Sequence, residues 1–264
     1  MPTLFLIDGS SQMYRAYHPI RGLTGPDGRA TNAVYGFVAM LRKLLADHKP
    51  DAIAAAFDLA GRTFRDDLAE DYKANRAPMP PDLVEQVPLI HEACAALGVP
   101  VLTSEGFEAD DVIGTLALKA AAEGYDVAIV TGDKDFFQLV GGRIRVFNPR
   151  DEGTWYDTAG VVEKFGVTPD KVIDVLALTD YAERVIAEFG SLDALLEGAA
   201  SVQQKRYREA LLANGDAARA SRELVTIRPD VPVDRDPDSL RYRGPDHAAC
   251  YALFSSLGFR TFTS

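Results

Sequence analysis

Acidic residues follow three apolar segments of the chain, at the point where each segment ends. The segments are 4–7, 52–57 and 127–130, and the acids that follow them are Asp8, Asp58 and the pair Asp133 and Asp135. Short apolar runs of this kind are typical of buried parallel strands. Because the carboxyl ends of parallel strands meet at one edge of a sheet, we expect these carboxylates to lie close together.

A second group of acids opens a helix predicted over 108–123. Glu108, Asp110 and Asp111 lie in its first turn, and the helical spacing puts Glu108 and Asp111 on one side. Together with the strand-end acids they make seven carboxylates that would repel one another without compensation. Divalent cations are the natural compensation, and oxygen ligands favour Mg²⁺ or Mn²⁺. Two such ions, about 4 Å apart, would activate a water and stabilise the leaving oxygen of a phosphodiester.

Each of these acids also has an ordinary structural interpretation. An aspartate after a strand is commonly a turn residue, and acids in the first turn of a helix complement its dipole. That interpretation is favoured for any single position. The three strand ends and the helix start together favour the metal site.

The composition restricts the class of protein. No apolar run in the 264 residues reaches membrane-spanning length, and the first residues lack the basic flank and cleavage site of a signal peptide. The two cysteines, Cys94 and Cys250, are interpreted as buried thiols in a reducing cytoplasm. The net charge of −11 argues against nucleic-acid binding, unless metal ions neutralise the acids and basic residues form a local track.

The order of the predicted elements indicates an α/β fold, with a mostly parallel central sheet and flanking helices. Residues 1–157 are predicted to form this core, and 158–264 a C-terminal helical part. A polar, proline-rich connection at about 61–82 follows the second strand, and such long connections are often functional. A helix is predicted over 202–212, and it carries a basic run at 205–208.

Eight stretches carry a family resemblance. They include Leu-Ile-Asp-Gly-Ser-Ser (6–11), Tyr-Lys-Ala-Asn-Arg (72–76), Glu-Ala-Asp-Asp (108–111) and Thr-Gly-Asp-Lys-Asp (131–135), and the others are 32–37, 56–58, 164–169 and 189–196. With these motifs the chain resembles the 5′-nuclease (5′-3′ exonuclease) domain of bacterial DNA polymerase I, within the flap endonuclease family. The resemblance extends over nearly the whole length and implies a PIN-like core with a helical arch at about 61–82.

The resemblance implies a role for each matching residue. The family's metal-binding carboxylates correspond to Asp8, Asp58, Glu108, Asp110, Asp111, Asp133 and Asp135. The catalytic basic residues of the arch, which contact the scissile phosphate region, correspond to Lys73 and Arg76. Arg62 and Arg65 could add phosphate contacts or form an ordinary solvated face, and Tyr72 could stack on a base or pack internally.

The implied activity is divalent-metal-dependent hydrolysis of DNA phosphodiesters, by a 5′-3′ exonuclease or flap endonuclease of replication and repair. The expected substrates are 5′ flaps, nicks and 5′ ends. We expect a bacterial, cytoplasmic, nucleoid-associated monomer that works with a polymerase domain or polymerase partner.

The chain departs from the family after Leu-Ala-Leu-Thr (176–179). The family continues there with a Gly-Asp-x-x-Asp-Asn stretch and a glycine-rich helix-turn-helix loop, which supplies two further metal carboxylates and holds duplex phosphate through a monovalent cation, K⁺. Here Asp180 leads directly to Tyr181, and Asp180 could replace one of those carboxylates. The departure is a natural divergence, an engineered deletion, or a segment missing from the printed sequence.

Two alternative functions follow. The absent loop would be compatible with a DNA-binding family member of impaired activity. A PIN-like single-strand ribonuclease is the second alternative, and the long arch and extended C-terminal helices argue against it. A small-molecule phosphatase is disfavoured further, because no glycine-rich phosphate cradle is present.

Overall fold

A six-stranded sheet forms the centre of the fold. The computed structural model describes residues 1–20, 22–69, 72, 77–150, 153–178, 182–233 and 236–263. The strands are β1 (Thr3–Asp8), β2 (Ala52–Ala56), β3 (Val101–Leu102), β4 (Asp126–Val130), β5 (Ile144–Asn148) and β6 (Thr154–Tyr156). Their order across the sheet is β3-β2-β1-β4-β5-β6, and every pairing is parallel except that of β5 with β6. The prediction of a mostly parallel sheet is confirmed.

Helices surround the sheet and continue beyond it. The helices of the first part are α1 (Gly9–Tyr17), α2 (Asn32–His48), α3 (Phe64–Leu68), α4 (Pro81–Val84), α5 (Val87–Ala96) and α6 (Ala109–Ala122). Those of the second part are α7 (Thr158–Phe165), α8 (Val172–Leu176), α9 (Ala182–Phe189), α10 (Leu192–Glu197), α11 (Lys205–Val225), α12 (His247–Ser256) and α13 (Arg260–Thr263). None of the helices in the described part of the chain is long and apolar enough to cross a bilayer.

Both faces of the sheet are covered by apolar side chains. Leu4 and Leu6 of β1 belong to one buried cluster, together with residues of α6 and of the C-terminal helices. Phe5 and Ile7 belong to a second cluster, together with residues of α2, α5 and α12. Because successive side chains of a strand point to opposite faces, a strand covered on both sides has to be apolar throughout.

The strand order reverses direction at β1. The chain proceeds from β1 to β2 and β3 on one side and continues with β4 and β5 on the other. Asp8 pairs in register with Ala56 of β2, and Ile7 pairs with Val130 of β4, so the three carboxyl ends lie level. Open α/β sheets bind ligands at such a switch point, outside the carboxyl ends of the strands.

Two helices differ from the expectation. The helix predicted over 202–212 instead extends from Lys205 to Val225. It kinks at Asn214 (φ −126°, ψ 22°) and continues beyond that residue. Helix α1 was not predicted, since its sequence has few apolar residues at helical spacing. It forms because Asp8 caps it, accepting a hydrogen bond from the backbone N–H of Ser11.

Candidate metal centre

Asp8 is the last residue of β1 and is 3% exposed. Its Oδ1 accepts a hydrogen bond from the backbone N of Ser11 at 3.0 Å, and its Oδ2 accepts one from the hydroxyl of Thr131 at 2.7 Å. Burial raises the pKa of Asp8 to about 6; the two hydrogen bonds oppose this shift, and the charges of Asp133 and Asp58 add to it. The hydrogen bonds therefore hold the Asp8 carboxylate in place, but they do not fully compensate the cost of burying its negative charge.

Asp58, which follows β2, connects this strand to α1 and α6. Its Oδ1 accepts from the backbone N of Ala109, the first residue of α6, at 2.8 Å. Its own backbone N donates to the hydroxyl of Ser10 in α1 at 2.9 Å. The side chain is thereby fixed against the start of α6, close to Asp110.

Asp133 and Asp135 lie beyond β4 in a turn that Thr131 organises. The Thr131 Oγ1, which donates to Asp8, also accepts from the backbone N of Asp133 at 2.9 Å. Asp133 Oδ1 in turn accepts from the backbone N of Asp135 at 3.1 Å. One fully buried hydroxyl therefore sets the spacing between two strand-end carboxylates.

Asp110 brings the group together. Burial raises its pKa well above the usual range, and the charges of Asp8, Asp133, Asp58 and Asp135 raise it further, in that order. We call these five residues the carboxylate cluster. It contains all four predicted strand-end acids and one acid from the start of α6.

The carboxylate cluster does not form a ready ligand shell with its side chains as they stand. Among the described residues, no three or more His, Cys, Asp or Glu side chains are arranged so that they could hold a metal ion. Oxygens of Asp8, Asp58 and Asp133 instead accept hydrogen bonds from neighbouring backbone N–H groups. The donor chemistry, all oxygen and mutually repelling, fits a hard divalent cation. The metal site remains a prediction.

Asp111 is paired with a buried arginine. It is 0% exposed, and both of its oxygens are bound by the guanidinium of Arg65, at 2.6 and 2.9 Å. A bidentate Arg pair of this kind neutralises the carboxylate. The structure therefore does not support Asp111 as a metal ligand. Glu108 also lies near this arginine. Its Oε2 is 3.5 Å from Arg65 Nη1 and accepts a hydrogen bond from the hydroxyl of Tyr72 at 3.3 Å.

The predicted nucleic-acid contacts have different outcomes. Arg65 is 2% exposed, so the structure does not support its contact with phosphate. Arg62 is exposed and makes a surface ion pair with Asp67 at 3.1 Å, so its phosphate contact stays a prediction. The predicted catalytic residues Lys73 and Arg76 lie outside the described residues.

Three features of the site were not predicted from the sequence. Thr131 and Ser10 hold aspartates of the cluster, and the hydroxyl residues next to each strand-end acid were the available signal. Arg15 of α1 reaches the turn after β4, where its guanidinium occupies the space that a Cβ at position 132 would need. Gly132 therefore leaves room for the guanidinium of Arg15 against this turn.

Comparison with family models covers most of the chain. The 5′-3′ exonuclease N-terminal resolvase-like domain matches residues 3–166, and the 5′-3′ exonuclease C-terminal SAM fold matches residues 179–248.

Similar curated proteins are bacterial DNA polymerases I. The enzyme of Rhizobium leguminosarum is 40% identical over 283 positions, which cover 98% of this chain and 28% of that protein. The enzyme of Mycobacterium tuberculosis (strain ATCC 25618 / H37Rv) is 41% identical, over 98% of this chain and 31% of its own length. The chain thus spans less than a third of the length of these relatives.

Solved structures of low identity share the fold. T5 5′-exonuclease with bound divalent zinc ions has a TM-score of 0.71 and 18% identity, over 99% of this chain and 97% of that chain. The catalytic core of Rad2 in complex with DNA substrate has a TM-score of 0.65 and 19% identity, over 97% and 88%. Because both family models match, and because DNA polymerase I is about 40% identical over 98% of this chain, the chain belongs to the 5′-3′ exonuclease family.

Proposed function

We propose that the chain is a divalent-metal-dependent 5′-nuclease that hydrolyses DNA at 5′ flaps, nicks and 5′ ends during replication and repair. The observation that carries this proposal is the carboxylate cluster. Its members come from three strand ends and one helix start, and they gather where α/β sheets bind their ligands. Membership of the 5′-3′ exonuclease family supplies the reaction class.

The cluster residues that would hold Mg²⁺ or Mn²⁺ are Asp8, Asp58, Asp110, Asp133 and Asp135. When bound, such ions activate a water and stabilise the leaving oxygen of a phosphodiester. The chain's own contribution is to orient the ligands, since Thr131 fixes Asp8 and the backbone N of Ala109 fixes Asp58. Partners of this kind hold ligating carboxylates in productive orientations.

Basic residues around the arch would contact the DNA. Arg62 is exposed, and Lys73 and Arg76 belong to the family motif Tyr-Lys-Ala-Asn-Arg, so these three would bind phosphate near the cleaved bond. Tyr72, which donates to Glu108, could still present its ring to a base. We further propose a monomer in the bacterial cytoplasm, associated with the nucleoid and acting beside a polymerase domain such as that of its relatives.

A substrate comparison tests the proposal. The wild-type chain is incubated with a 5′-labelled DNA flap and, separately, with single-stranded RNA of equal length, in Mg²⁺ or in EDTA. The expected result is cleavage of the flap near the junction, in Mg²⁺ alone. Faster cleavage of the RNA would support the PIN-like ribonuclease, and equal flap cleavage in EDTA would refute metal dependence.

A DNA-binding protein of impaired activity is the second candidate. It is favoured by the alignment with the Rhizobium enzyme, whose 283 positions exceed the 264 residues of this chain, so the relative carries residues without a counterpart here. The family's helix-turn-helix loop, absent after Asp180, would account for them, and the K⁺ site would be absent with it. Flap binding without cleavage in Mg²⁺ or Mn²⁺ would establish this candidate.

A further inference from the structure

Arg65 in α3 is held entirely by acceptors of the protein. Its Nη1 and Nη2 donate to the two oxygens of Asp111 at 2.6 and 2.9 Å. Its Nε donates to the carbonyl oxygen of Leu224 at 2.8 Å, and its Nη2 also donates to that of Thr226 at 3.1 Å. All three guanidinium nitrogens are engaged, in a side chain that is 3% exposed.

Asp111 joins three separate parts of the chain. Besides Arg65, it accepts a hydrogen bond from the backbone N of Arg228 at 2.8 Å and from that of Glu108 at 3.2 Å. A carboxylate has about four lone-pair sites, and four donors use them. The base of the arch, the start of α6 and the segment after α11 therefore meet at one buried carboxylate.

An aromatic ring strengthens the same junction. The guanidinium of Arg65 and that of Arg228 each lie 4.5 Å from the centre of the Phe64 ring. Cation–π contacts of this kind are favourable at desolvated positions. The residue before Arg65 and the segment after α11 are thus in direct contact as well.

The junction reaches the carboxylate cluster through Glu108. Its Oε2 lies 3.5 Å from Arg65 Nη1, and Glu108 is the N-cap residue of α6. Asp110, a member of the cluster, lies in the following turn, and Ala109 donates to Asp58. A shift of residues 224–228 would therefore move the first turn of α6 and two carboxylates of the cluster.

We propose that Arg65 is a positioning residue, which couples residues 224–228 to the first turn of α6, and that Asp111 is its counter-ion and not a metal ligand. The C-terminal helical part would then control the geometry of the carboxylate cluster through this link. This proposal rests on the proposed function in one respect, since measuring kcat requires that the chain cleaves a 5′ flap.

The variant Arg65→Lys tests the coupling. The ammonium keeps the buried charge paired, so the variant is expected to fold, but it cannot bond both Asp111 oxygens and both carbonyls at once. Mn²⁺ binding, followed by calorimetry, is expected to weaken about tenfold. The kcat for a 5′ flap is expected to fall about tenfold or more, with KM changed less than about threefold. A raised KM with unchanged Mn²⁺ binding would instead identify a phosphate contact and overturn the proposal.

A charge-neutral pair separates a counter-ion from a ligand. Arg65→Gln alone leaves Asp111 as an uncompensated buried charge, and Asp111→Asn alone leaves Arg65 as one. The double variant removes both charges but not the loss of the link, so its Mn²⁺ binding is expected to recover from that of either single variant to about that of Arg65→Lys. If Asp111 ligates the metal, the double variant binds Mn²⁺ no more tightly than Asp111→Asn alone, and the counter-ion role is refuted.

Amide hydrogen exchange provides a measurement independent of activity. The backbone N–H groups of Glu108 and Arg228 both donate to Asp111, so Arg65→Lys should accelerate exchange in 108–111 and in 224–228 together. Unchanged exchange in either segment would overturn the coupling. Hydrogen exchange tests the coupling even if the wild-type chain cleaves no flap. In that case the proposed function fails and the coupling is still decided.

The matched control is Arg143→Lys. Arg143 pairs with Asp126 at 2.9 Å, at the amino end of β4 and thus at the opposite edge of the sheet. The Arg143→Lys variant is expected to equal wild type in flap cleavage, in Mn²⁺ binding and in amide hydrogen exchange at 108–111. A loss equal to that of Arg65→Lys would mean that any Arg–Asp pair has this effect and would overturn the specific coupling.

Discussion

At the scale of single residues, the seven predicted ligands have three different surroundings. Five form the carboxylate cluster, in which burial and the charges of the other members raise the pKa of Asp110. Asp111 is neutralised by Arg65, and Glu108 lies 3.5 Å from the same guanidinium. The strand-end position of an aspartate could be predicted from the sequence, because it follows from a local apolar pattern. The burial of Arg65 could not, because its acceptor Leu224 is 159 positions away.

The raised pKa of Asp8 predicts how the free energy of unfolding depends on pH when EDTA removes metal ions. Its pKa is raised from 3.8 to about 6, so between these values the folded state binds a proton that the unfolded chain has released. Rising pH through this window therefore lowers the free energy of unfolding, by up to about 3 kcal/mol. Asp8→Asn removes this penalty, so it should be more stable than wild type at pH 7 and gain little at pH 4.

Urea unfolding of both proteins in EDTA, at pH 4 and pH 7, measures the difference. An equal difference at the two pH values would mean that the Asp8 carboxylate is not destabilised by burial. Excess Mg²⁺ should remove the advantage of the variant at pH 7, because the ion stabilises only the carboxylate form.

At the scale of elements, local pattern predicted the strands better than the helices. The apolar strands were found because burial on both faces leaves a continuous signal. Helix α1 depends on its cap at Asp8, and α11 continues through Asn214-Gly215, residues that commonly end a helix. Apolar periodicity detects neither a helix that depends on a polar cap nor one that continues through a kink.

Gly9 predicts a strict steric requirement at the start of α1. A Cβ there would lie 2.5 Å from Cζ of Phe57 and 2.7 Å from the carbonyl oxygen of Ala56. Gly9→Ala should therefore push α1 away from β2, costing about 1–3 kcal/mol of unfolding free energy and displacing Asp8. Urea unfolding and flap cleavage should both show the loss.

Gly160→Ala is the matched control for Gly9→Ala. Gly160 lies in α7, and a Cβ there would meet its nearest atom at 3.5 Å, an ordinary contact. This change should be neutral or should stabilise the protein by up to about 1 kcal/mol, since alanine is the better helix former. Equal losses in both variants would show that the contact at Gly9 is not the cause.

At the scale of the whole molecule, the strand order creates the site. Placing β1 between β2 and β4 brings acids from distant positions to one edge, and the parallel direction puts all of them at the carboxyl end. The sequence predicted the parallel sheet from the alternation of strands and helices. The order of the strands depends on the pairing of β1 with β4, whose residues are more than 100 positions apart, and no local pattern encodes that pairing.

The net charge of −11 predicts that divalent ions govern DNA binding. Without them, the carboxylate cluster repels the phosphates that approach it. The affinity for a 5′ flap, measured by fluorescence anisotropy at constant ionic strength, should be at least about tenfold higher in Ca²⁺ than in EDTA. Equal affinities would show that the DNA does not approach the cluster.

The central claim is that the carboxylate cluster binds divalent cations, and calorimetric titration with Mn²⁺ tests it most directly. The wild-type chain should bind Mn²⁺, and Asp110→Asn should weaken the binding at least about tenfold. The control Asp47→Asn lies near the C-terminal end of α2, distant from the strand-end acids, and should bind as wild type does. Absence of Mn²⁺ binding by the wild type, or equal binding by Asp110→Asn, would contradict the account.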